Sequence, residues 1–135
     1  MHEINMFDRD GALTMNGLSG SGPDCLERYK LLINDGKTIV ANPHKVYGPE
    51  NNDIVLQLRK RNISKVILAG MSANLYVEAH MRTLLEQGFE VAVVKDATAG
   101  AKYPDLGDGY QAALVNFGYM ANAVLTTDEA VSAMA

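Results

Sequence analysis

The feature that most constrains this chain is the run Lys65-Val66-Ile67-Leu68-Ala69-Gly70. A strand with one wet face alternates apolar and polar residues, whereas an unbroken apolar run ending in glycine suits a strand covered on both faces of a parallel sheet. A second such run spans Phe89 to Val94. Between them a helical pattern, about Leu75 to Gln87, places Val77, Met81, Leu84 and Leu85 on one face, and Gly88 stands where a helix-terminating glycine belongs. Strand, helix and strand in that order imply parallel strands joined by a right-handed crossover.

The flanking sequence extends the pattern. After the turn Asn34-Asp35-Gly36, Thr38 to Ala41 is a candidate strand, and Asn51 or Asn52 can cap a helix to about Arg61 with Ile54, Val55 and Leu58 on its apolar side. Lys95 to Gly100 is expected to leave the second buried strand for a loop through Pro104 and Gly107. A helix of roughly Asp108 to Ala121 carries Tyr110, Ala113, Leu114, Phe117 and Ala121 on one stripe, followed by a short strand Ala123 to Leu125 and a terminal helix from Asp128. Met1 to Pro23 is rich in turn formers and lacks periodicity, so residues 1–23 form an irregular lead-in, and Asp24 can cap a short helix through Leu31 and Leu32. The expected architecture is one domain over residues 1–135, a three-layer α/β/α fold of Rossmann type with a mainly parallel sheet. Ligands of such sheets bind beyond the carboxyl ends of the strands, which directs attention to the residues after Gly70.

Composition narrows the function classes. Apolar residues at 47% and charged residues at 21% give the balance of a globular domain. A net charge of −4 with scattered Lys and Arg offers no basic stripe for nucleic acid, so a small-molecule substrate or ligand is the expected partner. No apolar run is long enough to span a bilayer, and the charged start Met1 to Asp10 is no signal peptide, so a cytoplasmic location without membrane association is expected. The lone Cys25 excludes an intrachain disulfide and a Cys-cluster metal site, and nothing around it marks it as an activated thiol. His2, His44 and His80 show no metal-ligand spacing, so neither a metal nor a cofactor is implied.

The stretch VILAGMSANLYVEAHMRTLLEQGFEVAVVKDATAG, Val66 to Gly100, resembles the isochorismatase-like cysteine hydrolases. That family places an apolar strand, a glycine and a short turn before a nucleophilic Cys at a helix start, then Val, a helix, Gly-aromatic, a second apolar strand and Asp-Ala. Gly70, the turn Met71 to Leu75, Val77, Gly88-Phe89 and Asp96-Ala97 fall in register, and with the region from Gly36 to Asp128 the resemblance covers about two thirds of the chain. It implies hydrolysis of amide or imide C–N bonds of small molecules by a Cys-Lys-Asp set, with two backbone amides stabilising the oxyanion. Carried over by position, Tyr76 stands in the place of the family Cys, Ser72 and Tyr76 supply the oxyanion amides, Met71-Ser72 is the cis peptide, and Lys45 is the catalytic lysine. Tyr47, Met71 and His80 are the expected substrate-pocket residues.

Two departures bear on activity. A free phenol has a pKa near 10, and Tyr76 carries far more bulk than a thiol. The family's Asp ends an apolar first strand, and nothing before Gly36 has that form: Asp8 and Asp10 lie in a charged, turn-rich context. The chain is therefore expected to lack the first strands of the family fold, to be catalytically impaired, and to self-associate as a homo-oligomer through a strand that has lost its neighbour. Some residues keep two readings: Lys45 as catalyst or solvated loop residue, His80 at the pocket mouth or in helix packing, Asp96 lining the crevice or capping a turn. Two other functions remain open, an active isochorismatase-type hydrolase that cleaves a vinyl ether by acid catalysis without a Cys, and a non-catalytic flavodoxin-like or receiver-like α/β binding module or subunit. The absence of a phosphate-binding glycine loop and of an acidic cluster after a first strand weighs against the last.

Overall fold

A computed structural model describes residues 35–39, 41, 47–50 and 52–135. Asp8, Asp10, Cys25, His44 and Lys45, the lead-in 1–23 and the helix beginning at Asp24 lie outside the described residues. The chain divides into two units at Ile54 and Val55. In the first, Asp35 Oδ1 accepts the backbone N–H groups of Thr38 at 2.7 Å and Lys37 at 2.8 Å, closing an Asx turn in which Gly36 takes φ +74°. Those bonds, that of Thr38 foremost, hold the Asp35 carboxyl below the ordinary carboxylate range. Thr38, Ile39 and Ala41 are not in a strand, in contrast to the expectation, and Val40 lies outside the described residues.

The second unit is built around a parallel sheet. Asn52 Oδ1 accepts from Ile54 N–H at 3.1 Å and opens α1, Ile54–Lys60, whose Val55 and Leu58 pack on the core. Asn62, at φ +54°, closes it: Asn62 N–H reaches Arg59 O and Ile63 N–H reaches Leu58 O, each at 3.0 Å. β1, Lys65–Met71, leads into a π-helical turn, Ala73–Val77, which continues as α2, Glu78–Glu86. Gly88, at φ +83°, ends α2 with the same pair of bonds, Gly88 N–H to Leu85 O and Phe89 N–H to Leu84 O. β2, Glu90–Ala99, is followed by β3, Lys102–Tyr103, β4, Gly107–Asp108, α3, Gly109–Met120, β5, Ala123–Leu125, and α4, Thr127–Met134. β1, β2 and β5 form the sheet in the order β1-β2-β5, parallel throughout, and β3 pairs antiparallel with β4.

Alternation along the strands sorts the core. Val91 and Val93 of β2 are fully buried with Val77, Met81 and Leu84 of the turn and α2 and with Ala113 and Phe117 of α3; Val66 and Leu68 of β1 pack on that cluster. Val94 of β2 points to the other face, where α4 packs on β2 and buries Ala130. Helices thus lie on both sides of the sheet, giving three α/β/α layers. β1 departs from the expectation of cover on both faces: Ile67 is 39% exposed and Met71 75%. The unbroken apolar run correctly gave a strand, but apolar residues do not by themselves recruit a covering layer.

A further correction concerns Lys95 to Ala99. These residues remain in β2, because the ladder slips: Leu68 faces Val93 and Gly70 faces Thr98, so Ala69 is matched by the four residues Val94 to Ala97. The polar composition reads as an exit from the sheet, yet the bulged backbone finds its own partners. Lys95 O accepts from Thr98 Oγ1 at 3.0 Å and from Tyr110 Oη at 2.8 Å. Similarly, the expected loop through Pro104 and Gly107 holds the short β3–β4 ladder, closed by Lys102–Asp108 at 3.7 Å and by Gly107 at φ +92°.

Candidate functional site

The residues singled out after Gly70 gather at the carboxyl end of β1. Gly70 takes φ +115°, a conformation open to glycine at little cost, and turns the strand outward into Met71. The Met71-Ser72 peptide is cis, as the sequence predicted. Ser72 then starts the π-helical turn, and its carbonyl accepts two N–H groups, those of Leu75 at 3.2 Å and Val77 at 3.1 Å. Such a turn carries one residue more than an α-turn, a geometry found often at functional sites. The expected helix from Leu75 is therefore preceded by a wider coil, and only from Glu78 onward is it α-helical. The broad apolar spacing of Val77, Met81 and Leu84 could not distinguish the two, since the extra residue lies before it.

Within the turn, Ala73 and Val77 face the core, while Ser72, Asn74 and Tyr76 are half-buried and Leu75 is exposed. Ser72 makes no side-chain bond to the turn's own N–H groups; its hydroxyl donates to Asn74 Oδ1 at 2.9 Å. Tyr76 and His80 are one helical step apart, with His80 Nδ1 2.7 Å from Tyr76 O. A carbonyl can only accept, so Nδ1 carries the proton, which fixes the neutral tautomer. The structure thus brings Met71, Ser72, Tyr76 and His80 onto one continuous segment. Tyr47 belongs to the first unit and is 42% exposed, and Lys45 lies outside the described residues.

Several residues that the sequence did not single out hold this segment in place. Glu78, its side chain 14% exposed, accepts from Arg82 at 2.7 Å on its own helix and from Asn116 Nδ2 of α3 at 3.0 and 3.1 Å. Charge-assisted bonds of this kind tie the start of α2 to α3. Gly109, first residue of α3, donates to Ala101 O at 2.9 Å and lies against the Asn74 amide. A Glu at i and Arg at i+4 were visible as a helix pair, but contacts to Asn116 and Gly109 cross long sequence gaps and leave no local pattern. Asp96 bonds the start of α4: its Oδ1 accepts from Thr127 N–H at 2.8 Å and Thr127 Oγ1 at 2.9 Å, joining the β2 bulge to that helix.

Chemically, the segment offers a turn of main-chain amides at the carboxyl end of a parallel strand, a phenol where a nucleophile could sit, and an imidazole of defined tautomer. Among the described residues no helix is long and apolar enough to cross a membrane, and no group of three His, Cys, Asp or Glu side chains could hold a metal ion.

Comparison with known proteins agrees with the arrangement. A 49-residue stretch is 41% identical to the uncharacterised isochorismatase family protein YecD of Escherichia coli O157:H7, covering 36% of this chain and 26% of that protein. A cysteine hydrolase from Pseudomonas syringae superimposes with a TM-score of 0.66 at 22% identity, over 85% of this chain and 67% of the other. Nicotinamidase PncA from Bacillus subtilis does so with a TM-score of 0.62 at 22% identity, over 73% and 52%. At such identities the structural likeness speaks for the fold. The chain spans about a quarter of the curated relative and about half of the nicotinamidase. The isochorismatase domain model matches residues 6–129, which reaches back through Asp8 and Asp10 and leaves little of the sequence outside it. On that match the chain belongs to the isochorismatase family of hydrolase-fold proteins.

Proposed function

We propose that this chain binds a small molecule carrying an amide, imide or related carbonyl group at the Ser72–Tyr76 turn, and that it is impaired in covalent hydrolysis. The observation that carries the reading is the position of Tyr76: it lies in the π-helical turn directly after the carboxyl end of β1, at the motif position of the family nucleophile. A group there sits in the positive field of a helix start, which suits a thiolate or the carbonyl oxygen of a ligand. A phenol is by nature a weaker acid than a thiol and a poor substitute for a thiolate. In the proposed arrangement the amides of Ser72 and Tyr76 bind the carbonyl oxygen and the Tyr76 ring fills the space beside it. Names among the structural relatives, nicotinamidase and cysteine hydrolase, support an amide C–N class of ligand.

The test is hydrolysis of nicotinamide, pyrazinamide and isochorismate by the full chain, beside calorimetric binding of the same compounds. Binding without amide turnover is expected. Tyr76→Cys alone should leave turnover close to background, because members of a catalytic set are strongly non-additive and a thiol without a placed carboxylate lacks its proton acceptor. Substantial turnover from Tyr76→Cys would assign that carboxylate to a residue already present, with Asp8 and Asp10 inside the family match as first candidates. Cleavage of isochorismate by the unmodified chain would instead establish the vinyl-ether reaction and overturn the impairment.

A further inference from the structure

We infer that Asn74 is a positioning residue for the Ser72–Tyr76 turn, clamped from behind by the start of α3 through Gly109; the inference rests on the proposed role of Tyr76's position. Three observations converge. Asn74 Oδ1 takes the Ser72 hydroxyl at 2.9 Å, so the orientation of the Asn74 amide decides where the Ser72 side chain goes. A Cβ placed on Gly109 would lie 2.8 Å from both Cγ and Nδ2 of Asn74, which is closer than side-chain atoms approach without displacement. The same Cβ would stand 2.8 Å from Ala101 O, the acceptor of Gly109 N–H at 2.9 Å, so backbone closes the other side.

Gly109 has no positive φ to explain a glycine. Its lack of a side chain serves a close approach instead. Gly100 repeats the device one strand away, where a Cβ would lie 2.7 Å from Tyr110 N. The end of β2 and the first residues of α3 are thereby pressed together, and Asn74 is the side chain that meets them from the turn. Glu78, the residue just past the turn, accepts from Asn116 and makes a second tie to α3 further along. Pinned at both ends, the turn holds its backbone in one place, and preorganisation of this kind is what a site built from main-chain amides requires.

The chain of effects is specific. Enlarging Gly109 pushes the Asn74 amide aside, the Ser72 hydroxyl loses its acceptor, and the turn loses its fixed backing. A thiol introduced at position 76 reports on this, since its ionisation depends on the local field of the turn. The experiment uses the full-length Tyr76→Cys protein and follows iodoacetamide alkylation of the residue-76 peptide by mass spectrometry across pH, which reads that thiol separately from Cys25. With Tyr76→Cys alone the thiol should titrate below an ordinary cysteine. Adding Asn74→Ala or Gly109→Ala should raise that titration by about one unit, making alkylation at neutral pH roughly tenfold slower, while Asn74→Gln, which keeps an uncharged acceptor oxygen, should restore part of the rate. Combining Asn74→Ala with Gly109→Ala should add nothing beyond Asn74→Ala.

Outcomes separate cleanly. An ordinary cysteine titration in Tyr76→Cys alone overturns the reading of position 76. A depressed titration left unmoved by Asn74→Ala and Gly109→Ala overturns the clamp while leaving that reading intact. Additive effects of the two would show that Gly109 acts through Ala101 rather than through Asn74 and would overturn the inferred path. Circular dichroism of each variant identifies one that fails to fold; Asn74→Ala and Gly109→Ala are independent routes to the same loss, so a rate left unmoved in whichever of them folds counts against the proposal.

Discussion

The starts of α3 and α4 and the turn that precedes α2 solve the same problem in opposite ways. At α3 the Asp108 carboxylate accepts from Tyr110 N–H at 3.0 Å and Gln111 N–H at 3.1 Å. At α4 the hydroxyl of Thr126 accepts from Glu129 N–H at 3.2 Å, the Glu129 carboxylate returns to Thr126 N–H at 2.7 Å, and Asp96 takes Thr127 N–H. These are helix ends whose exposed donors are consumed by the chain itself. Ser72 is an equally good capping residue by type, yet its side chain bonds Asn74 and not the N–H groups of its own turn. Donors engaged by carboxylates cannot serve a ligand. The difference separates two helix starts arranged for stability from one whose side chains are turned away from its backbone.

The largest effect we expect ignores that distinction. Phe117 is fully buried between α3, the sheet and the turn side of the core, so Phe117→Ala should lower stability by about 3–5 kcal/mol and disturb all three starts together. Urea unfolding gives the magnitude, and a loss below about 1 kcal/mol would mean the core around α3 is not the common support.

Next in size, Asp108→Ala and Thr126→Ala should each cost about 1 kcal/mol of stability, as cap removal does. Thr126→Ala should not alter the titration of a cysteine placed at position 76, whereas Asp108→Ala loosens the α3 start next to Gly109 and should raise it. A change in that titration from Thr126→Ala would break the comparison, because it would couple a stabilising start to the candidate site across the sheet from β5 to β1.

The contrast also explains what the sequence could and could not disclose. The strands through Val66 to Leu68 and Val91 to Val94 were legible as apolar runs, and Met81, Leu84, Ala113 and Phe117 were legible because burial along a helix repeats with its period. Gly88 was legible because a left-handed helix end selects glycine. The π-helical turn was not, since one inserted residue shifts no apolar position that follows. The bulge at Lys95 to Ala99 was hidden for a different reason: its polar residues satisfy bonds to Tyr110 and Thr127, and long-range partners do not show in a local window. Tyr76 was placed by motif position, whereas Asn74 acquires its role only from Gly109 across the fold.

A smaller stability effect sharpens the comparison from the other side. Ser72→Ala should change unfolding free energy by less than about 0.5 kcal/mol, because the residue caps nothing and its hydroxyl bond to Asn74 is partly exposed. Its effect on binding of the amide probes should be several times that of Thr126→Ala. A stability loss equal to that of the capping variants would mean Ser72 is a cap after all.

The smallest effect is a pH dependence confined to α4. The backbone N–H of Thr126, then its hydroxyl, hold the Glu129 carboxyl below the ordinary glutamate range, and Lys95 adds a weaker pull that Asp96 opposes. A carboxyl whose folded value is depressed binds its proton more readily in the unfolded chain, so its contribution is fully present above the unfolded value. It is lost as pH falls through the lowered folded value, which places the change in the acid range. Glu129 is solvent-exposed, so the effect is expected to be slight, and Glu129→Gln should keep the geometry of the capping box while removing the charge. The stability difference between parent and Glu129→Gln should therefore be greatest near neutrality and shrink on acidification. No such fading should appear between the parent and Ser72→Ala, whose hydroxyl does not titrate. A parent-to-Glu129→Gln difference that stays constant down to pH 2 would show that the capping box works through shape alone, and that charge does not distinguish the α4 start from the open turn at Ser72.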